Sequence, residues 1–286
     1  MTTLGAVVRR DIPPAEVIEH VRSVQAGFDE LWIIEDLPFA GGISQLAAVL
    51  AATDSVAVGH GIAPAPFRNP AALAMEWATL AEIFPGRVIG GLGHGVQEWM
   101  GQIGDRVASP LTLLEESIVA VRRLLAGKTV DMAGRYVQLD GIRLEYPPRQ
   151  VPMVLAGVRG PKSLQLSGAV ADGTVLPEGW GPDDILKARR HIEEGRSKAG
   201  RTDHHHITVF AGFYAGPIAG IAGANPDAAV EFDWDAVSED VDEVTAKLQT
   251  LIDVGVDSIA LVPFGRDVTE QLQLAASRIL PQLARK

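Results

Sequence analysis

The sequence contains no cysteine. Disulfides, thiolate metal sites and cysteine nucleophiles are therefore excluded. No apolar run approaches the roughly 18 residues that a membrane-crossing helix needs. The opening residues, MTTLGAVVRRDIPP, put charges where a signal peptide needs its apolar stretch, so none is expected. Basic residues are in short supply: 25 Lys and Arg stand against 36 Asp and Glu, for a net charge of −11. They form no long block, which argues against a nucleic-acid-binding surface. These absences point to a cytoplasmic protein whose partners include neither nucleic acid nor membrane.

Hydrophobic residues make up 47% of the 286 positions, ample for the core of one domain over residues 1–286. Strand-like apolar runs occupy residues 4–8, 31–35, 55–60, 88–92, 152–156, 173–176, 207–212 and 258–262. Helical patterns between them begin near Pro14, Ser44, Pro70, Pro110, Pro161, Pro182, Val241 and Val268. Proline or serine at most of these starts suits helix entry. Sustained βα alternation implies a parallel sheet. Eight strands and eight helices in this length predict an α/β fold of the (β/α)8 TIM-barrel type. A doubly wound sheet is the competing arrangement, but it usually needs fewer units.

Two stretches break the rhythm. Residues 127–150 hold two strand-like pieces, 129–132 and 136–139, around Ala133-Gly134-Arg135. They read as a β-hairpin inserted before the fifth barrel strand. Residues 215–236 are rich in Gly, Ala, Pro and acidic residues and carry Phe232 and Trp234. They read as a loop excursion after the seventh strand.

Reactive groups in such barrels sit at the C-terminal ends of the strands. That rule selects Glu35 and Asp36 after the second strand, and His60 with Gly61-Ile62-Ala63 after the third. It selects Gly93-His94-Gly95, then Glu98 and Trp99, after the fourth. The most informative stretch is residues 151–176. An apolar strand ending at Ala156 runs into Gly157-Val158-Arg159-Gly160, and Pro161-Lys162 opens a helix. Backbone amides at that helix start, with Lys162, offer a phosphate cradle; an ordinary strand-to-helix turn is the plain alternative. Asp36 is either a loop cap or a ligand contact. His60 and His94 are either packing residues or proton carriers, and glycine on both sides of His94 lets a flat ring approach closely. Trp99, Trp180, Phe213 and Phe264 would line an apolar substrate pocket or simply pack at the rim. The triplet His204-His205-His206 precedes the seventh strand, so it belongs to the bottom face. Adjacent residues of an extended chain alternate in direction and cannot all grip one ion. No metal site is expected.

Four segments in this order resemble the bacterial luciferase-like superfamily, and within it the branch that uses the deazaflavin coenzyme F420 (methylenetetrahydromethanopterin reductase-like): LWIIED at 31–36, GHGIAPAPFRNP at 59–70, GRVIGGLGHG at 86–95, and residues 156–172 with their GPKSL core. The inserted hairpin also matches that family's usual segment before the fifth strand. The resemblance implies hydride transfer between coenzyme F420 and a small organic substrate by a homodimer or higher homo-oligomer. Helices over residues 45–52 and 71–83 would supply an apolar dimer face. It implies a bulge with a non-prolyl cis peptide at Gly61–Ile62, adjoining Ala63, behind the deazaflavin ring. Asp36 would lie near the ring, and Gly93, His94 and Gly95 beside it. Ala156, Gly157, Val158, Gly160, Pro161 and Lys162 would form the phosphate loop.

The sequence departs from that pattern at two positions. Leu37 stands where many relatives carry a proton-handling His, and Val96 where sugar-phosphate-oxidising relatives often carry Glu. Sugar-phosphate and alcohol dehydrogenase activities are therefore not expected, and His94, His60, Asp36 or Glu98 is left to move the proton. Two other readings stay open. One is an FMN-dependent monooxygenase using reduced flavin and O2. The other is a non-catalytic relative that binds flavin or deazaflavin.

Overall fold

The computed structural model describes residues 1–217, 221 and 234–285. Strands β1 (Thr3–Val8), β2 (Glu30–Ile33), β3 (Ala57–Pro64) and β4 (Val88–Gly93) are followed by β5 (Val130–Ala133) and β6 (Gln138–Ile142). Then come β7 (Val154–Gly157), β8 (Gly173–Leu176), β9 (His206–Ala215), β10 (Ala236–Ser238) and β11 (Ser258–Pro263). Eight of these, without β5, β6 and β10, pair in parallel and close on themselves: β1 pairs with β2 and β11, while β8 pairs with β9. The barrel is therefore the one the alternation predicts. The strands lie between packed layers on both faces, and their sequences (TLGAVV, SIALVP) are near-continuously small or apolar, as parallel strands buried on both sides require.

The surrounding helices are α1 (Val17–Val24), α2 (Gly42–Ala52), α3 (Pro70–Ile83), α4 (Gln97–Gln102), α5 (Pro110–Leu125), α6 (Pro161–Val170), α7 (Pro182–Lys198), α8 (Val241–Asp253) and α9 (Val268–Leu274). Proline occupies the first turn of α3, α5, α6 and α7, where its missing N–H costs nothing. Asn69 Oδ1 caps α3 by accepting the Ala71 N–H at 2.9 Å. Helix α4 was not expected; it follows the glycine loop after β4.

Strands β5 and β6 form the anticipated antiparallel hairpin, displaced toward the C-terminus in its second arm. Glu116 on α5 explains the displacement. Its carboxylate accepts the N–H groups of Arg135, Tyr136 and Val137 at 2.6–2.9 Å, so pairing resumes only at Gln138. The loop excursion expected over residues 215–236 lies mostly outside the described residues, Phe232 included. At its far end β10 adds in parallel to the outer part of β9.

Two apolar layers hold the barrel. Leu4, Ala6, Val8, Leu31 and Ile33 face the helices. Val7, Trp32, Ile89, Leu155, Val175 and Phe210 fill the interior, where Trp32 and Phe210 meet edge to face with centroids 5.4 Å apart. The interior is thus packed, and binding space is left at the rim. No helix among the described residues is long and apolar enough to cross a membrane.

Candidate active site

Strand β3 ends irregularly. Its register against β4 shifts between His60 and Ala63, and the Gly61–Ile62 peptide is cis, as the resemblance implied. A second cis peptide, Leu37–Pro38, follows β2. The irregular end turns Ile62 across the tips of β4 and β7. A Cβ at Gly93 or Gly157 would lie only 2.3 or 2.1 Å from Ile62 Cδ1. Glycine at both positions is what lets Ile62 form an apolar floor.

Over this floor opens a cavity of about 540 Å³. That is within the usual size range of small-molecule and cofactor sites, roughly 300–1,000 Å³. Its apolar wall comprises Ile34, Ile62, Val96, Trp99, Val158, Val175 and Phe210; its polar groups are Glu35, Asp36, His94, Arg159, Ser163 and Glu178. Of the residues chosen from sequence, Asp36, Gly61, Ile62, His94, Gly95, Gly157, Val158 and Gly160 line it. A second recess of about 620 Å³, between α1 and the end of β11, contains none of them.

The turn after β7 has a specific geometry. Ser163 Oγ accepts the Gly160 N–H at 3.2 Å and donates to the Gly160 carbonyl at 2.9 Å. The Gly160 amide expected to grip an anion is therefore already engaged. Lys162 and Ser163 stand in the first turn of α6, where amides have no intrahelical acceptor. The Lys162 side chain is exposed and does not line the cavity; Arg159 does. Sequence reasoning missed Arg159 because spacing does not say which of two nearby cations turns inward.

Asp36 accepts a hydrogen bond from Arg10 at 2.5 Å. The same guanidinium lies 4.9 Å from the Phe39 ring and 5.9 Å from Trp99, so three aromatic and charged groups brace the rim. Glu178, from the end of β8, also lines the cavity. Burial first, and the Asp36 charge second, raise its pKa against the opposing pull of Arg10. Burial of Asp235 next to β10, reinforced by Glu178 and opposed by Lys247, pushes its carboxyl up to about 7. His94 shifts the other way: burial lowers its pKa, with the Pro110 carbonyl only partly opposing. Its buried Nδ1 lacks a hydrogen-bond partner among the described residues.

Glu35 is an anchor. It accepts the Gly42 N–H at 2.8 Å and both terminal nitrogens of Arg68 at 2.5 and 2.6 Å. Burial raises its pKa, but hydrogen bonds from His60 and Arg68 outweigh that and hold it at about 2. The structure separates His60 from the cavity. The ring is fully buried behind β3, with Nε2 3.3 Å from Glu35 and Nδ1 3.4 Å from Trp77 Nε1. It takes the packing role, because strand alternation points it at α3. Ala63 and Ala156 are fully buried within their strands, and Gly93 supports Ile62 from below. Pro161, like Lys162, is exposed on α6. Among the four rim aromatics, Trp99 lines the cavity, Phe213 is core, and Phe210 contributes instead.

A flat apolar ligand carrying a phosphate fits these surroundings: an aliphatic floor, a turn carrying the cation Arg159, and the half-buried acid–base groups His94 and Glu178 on the neighbouring strand ends. Comparison with known proteins agrees with the architecture. The chain is 37% identical over 187 residues to 5,10-methylenetetrahydromethanopterin reductase of Methanolobus tindarius, covering 65% of this chain and 56% of that protein. It thus spans little more than half the length of that relative. It is 27% identical over 320 aligned positions to the F420-dependent glucose-6-phosphate dehydrogenase of Nakamurella multipartita, covering 94% and 93% of the two chains. The structure of coenzyme F420 dependent tetrahydromethanopterin reductase from Methanopyrus kandleri superposes with a TM-score of 0.85 at 20% identity, covering 99% of each chain. The luciferase-like monooxygenase profile matches residues 2–231, and the chain belongs to that family.

Proposed function

We propose that this chain is an oxidoreductase that passes a hydride between coenzyme F420 and a small organic substrate. The observation that carries the reading is the rim cavity itself: Ile62, packed against Gly93 and Gly157, lines it together with Arg159 and with Ser163 from the first turn of α6. The names of the relatives, two of them F420-dependent, support the coenzyme. When bound, the deazaflavin supplies the hydride chemistry.

The chain supplies the rest. Ile62 would form the apolar floor against which the deazaflavin ring is held. Arg159 and the α6 amides hold the phosphate by charge-assisted hydrogen bonds. Trp99, Val96 and Phe210 keep the open side dry and suit an apolar substrate. Proton handling falls to two cavity groups. Glu178, with its raised pKa, retains a transferable proton at higher pH than an ordinary carboxyl. His94, with its lowered pKa, stays neutral and accepts one. Asp36 holds Arg10 at the rim. This pair fills the role left open by Leu37 and Val96. Substrates of this kind include activated alkenes, imines and nitro compounds.

The test is oxidation of reduced coenzyme F420 against a panel of enones, imines and nitro compounds. Turnover with at least one class is expected, reduced about 100-fold in Glu178→Gln with coenzyme affinity unchanged. Turnover equal to wild type in that variant would remove Glu178 from the mechanism. No turnover across the panel would favour the non-catalytic reading. We further propose that the cytoplasmic enzyme is a homodimer through α3, where Met75 and Ile83 are 60% and 61% exposed. Light scattering at twice the chain mass is the expected result.

A further inference from the structure

The bottom of the barrel holds a second group of chemistry-bearing residues. His204, His205 and His206 lead into β9 on extended backbone, so alternate members share a side. His205 turns inward and is buried, with Nε2 2.8 Å from Thr174 Oγ1. His204 and His206 share the other direction, and there they meet Asp257, the residue just before β11. One ligand atom from each of His204, His206 and Asp257 lies within 4.8 Å of the others. The objection that three consecutive histidines cannot share an ion is correct, but two of the three with a carboxylate from the neighbouring strand avoid it.

The carboxylate is already oriented. Asp257 Oδ2 accepts the Ile207 N–H at 2.8 Å, which fixes the plane of the group, and Oδ1 lies 2.8 Å from His204 Nε2. Around a tetrahedral ion with bonds of about 2.0–2.1 Å, ligand atoms stand about 3.3 Å apart. The His204–Asp257 hydrogen bond gives way when an ion is taken up, and the His204 side chain, 74% exposed, has open solvent in which to reposition its ring. The electrostatic setting favours a cation. Glu30 lies within electrostatic range of His206 and is kept in place by hydrogen bonds from Thr3, Trp32 and Ser258 at 2.7–3.0 Å.

We propose that His204, His206 and Asp257 bind a divalent first-row transition-metal ion of the Zn²⁺ class, with water completing the tetrahedron. Two imidazoles and one carboxylate select such ions over Mg²⁺ or Ca²⁺, which prefer all-oxygen sites. At the end of the barrel opposite the cavity, the ion would tie the entrance of β9 to that of β11. Its role is to stabilise the fold; it takes no part in hydride transfer.

Tag-free protein, stripped with EDTA, is titrated with Zn²⁺ by calorimetry and with Co²⁺ by visible absorption. One equivalent is expected to bind saturably, with the intense d–d bands of tetrahedral Co²⁺ and a rise in Tm that EDTA reverses. His204→Ala, an exposed change that leaves the fold intact, and Asp257→Asn each weaken binding at least about tenfold. His191→Ala, on the surface of α7, leaves it unchanged. Coenzyme affinity is the same in all four proteins. Absence of saturable binding, or equal affinity in wild type and His204→Ala, overturns the proposal, as does octahedral Co²⁺ at weak, multiple sites.

Discussion

Glu35 and Asp235 are two carboxylates that the fold treats in opposite ways, and pH separates them. Glu35 has a folded pKa near 2, below the ordinary value of about 4.3. Its contribution to stability is complete above about pH 4.5 and is lost as pH falls toward 2. Asp235 has a folded pKa of about 7, far above the ordinary value, so its contribution declines as pH rises from about 4 to 7. Asp235→Asn is therefore expected to raise Tm more at pH 8 than at pH 5, and an equal shift at both would contradict the assignment. Arg68→Met strands the buried Glu35 charge. It should cost about 2–4 kcal/mol by urea denaturation, the lower end reflecting the partial exposure of Arg68. At this scale the sequence was informative where backbone chemistry decides the outcome. The turn at Gly157 could be located because a strand end and glycines mark it, and the cis peptide at Gly61–Ile62 because the family resemblance implied it. His60 and Lys162 could not be assigned, because a single rotation about a strand or helix decides whether a side chain enters the cavity.

Elements meet where small residues allow it. Helices α6 and α7 cross so closely that a Cβ on Gly195 would lie 1.9 Å from the Gln165 carbonyl oxygen, and one on Gly168 2.1 Å from that of Ile192. Backbone cannot yield as a side-chain tip can, so Gly195→Ala should destabilise by about 1–3 kcal/mol in chemical denaturation. At the rim, Gly157→Ala meets the movable end of Ile62 instead. Fold stability should change little, but Ile62 is driven into the cavity, and coenzyme affinity should fall at least about tenfold, or 1.4 kcal/mol. Pairing it with Ile62→Ala should restore part of that loss; no recovery would mean that Ile62 is not the floor. The eight βα units were legible because apolar period and proline-marked helix starts repeat along the chain. Helix α4 escaped notice because six residues carry too little periodicity, and the hairpin register because Glu116 sets it from a distant helix.

At the scale of the whole molecule, the barrel is closed and the cavity over Ile62 lies at its C-terminal rim. The interior is packed by Trp32, Phe210 and their neighbours, so the cavity over Ile62 opens at the rim and not through the barrel axis. In the proposed function, a chain of net charge −11 would have to attract an anionic coenzyme, and the local field of Arg159 with the α6 terminus would provide that attraction. Family membership alone does not choose between deazaflavin and FMN, since the turn after β7 suits the phosphate of either. Parallel equilibrium titration with coenzyme F420 and FMN makes the choice. The account predicts saturable F420 binding at least about tenfold tighter than FMN, or 1.4 kcal/mol, and weakened in both cases by Arg159→Met. Tight FMN binding without F420 binding would contradict it.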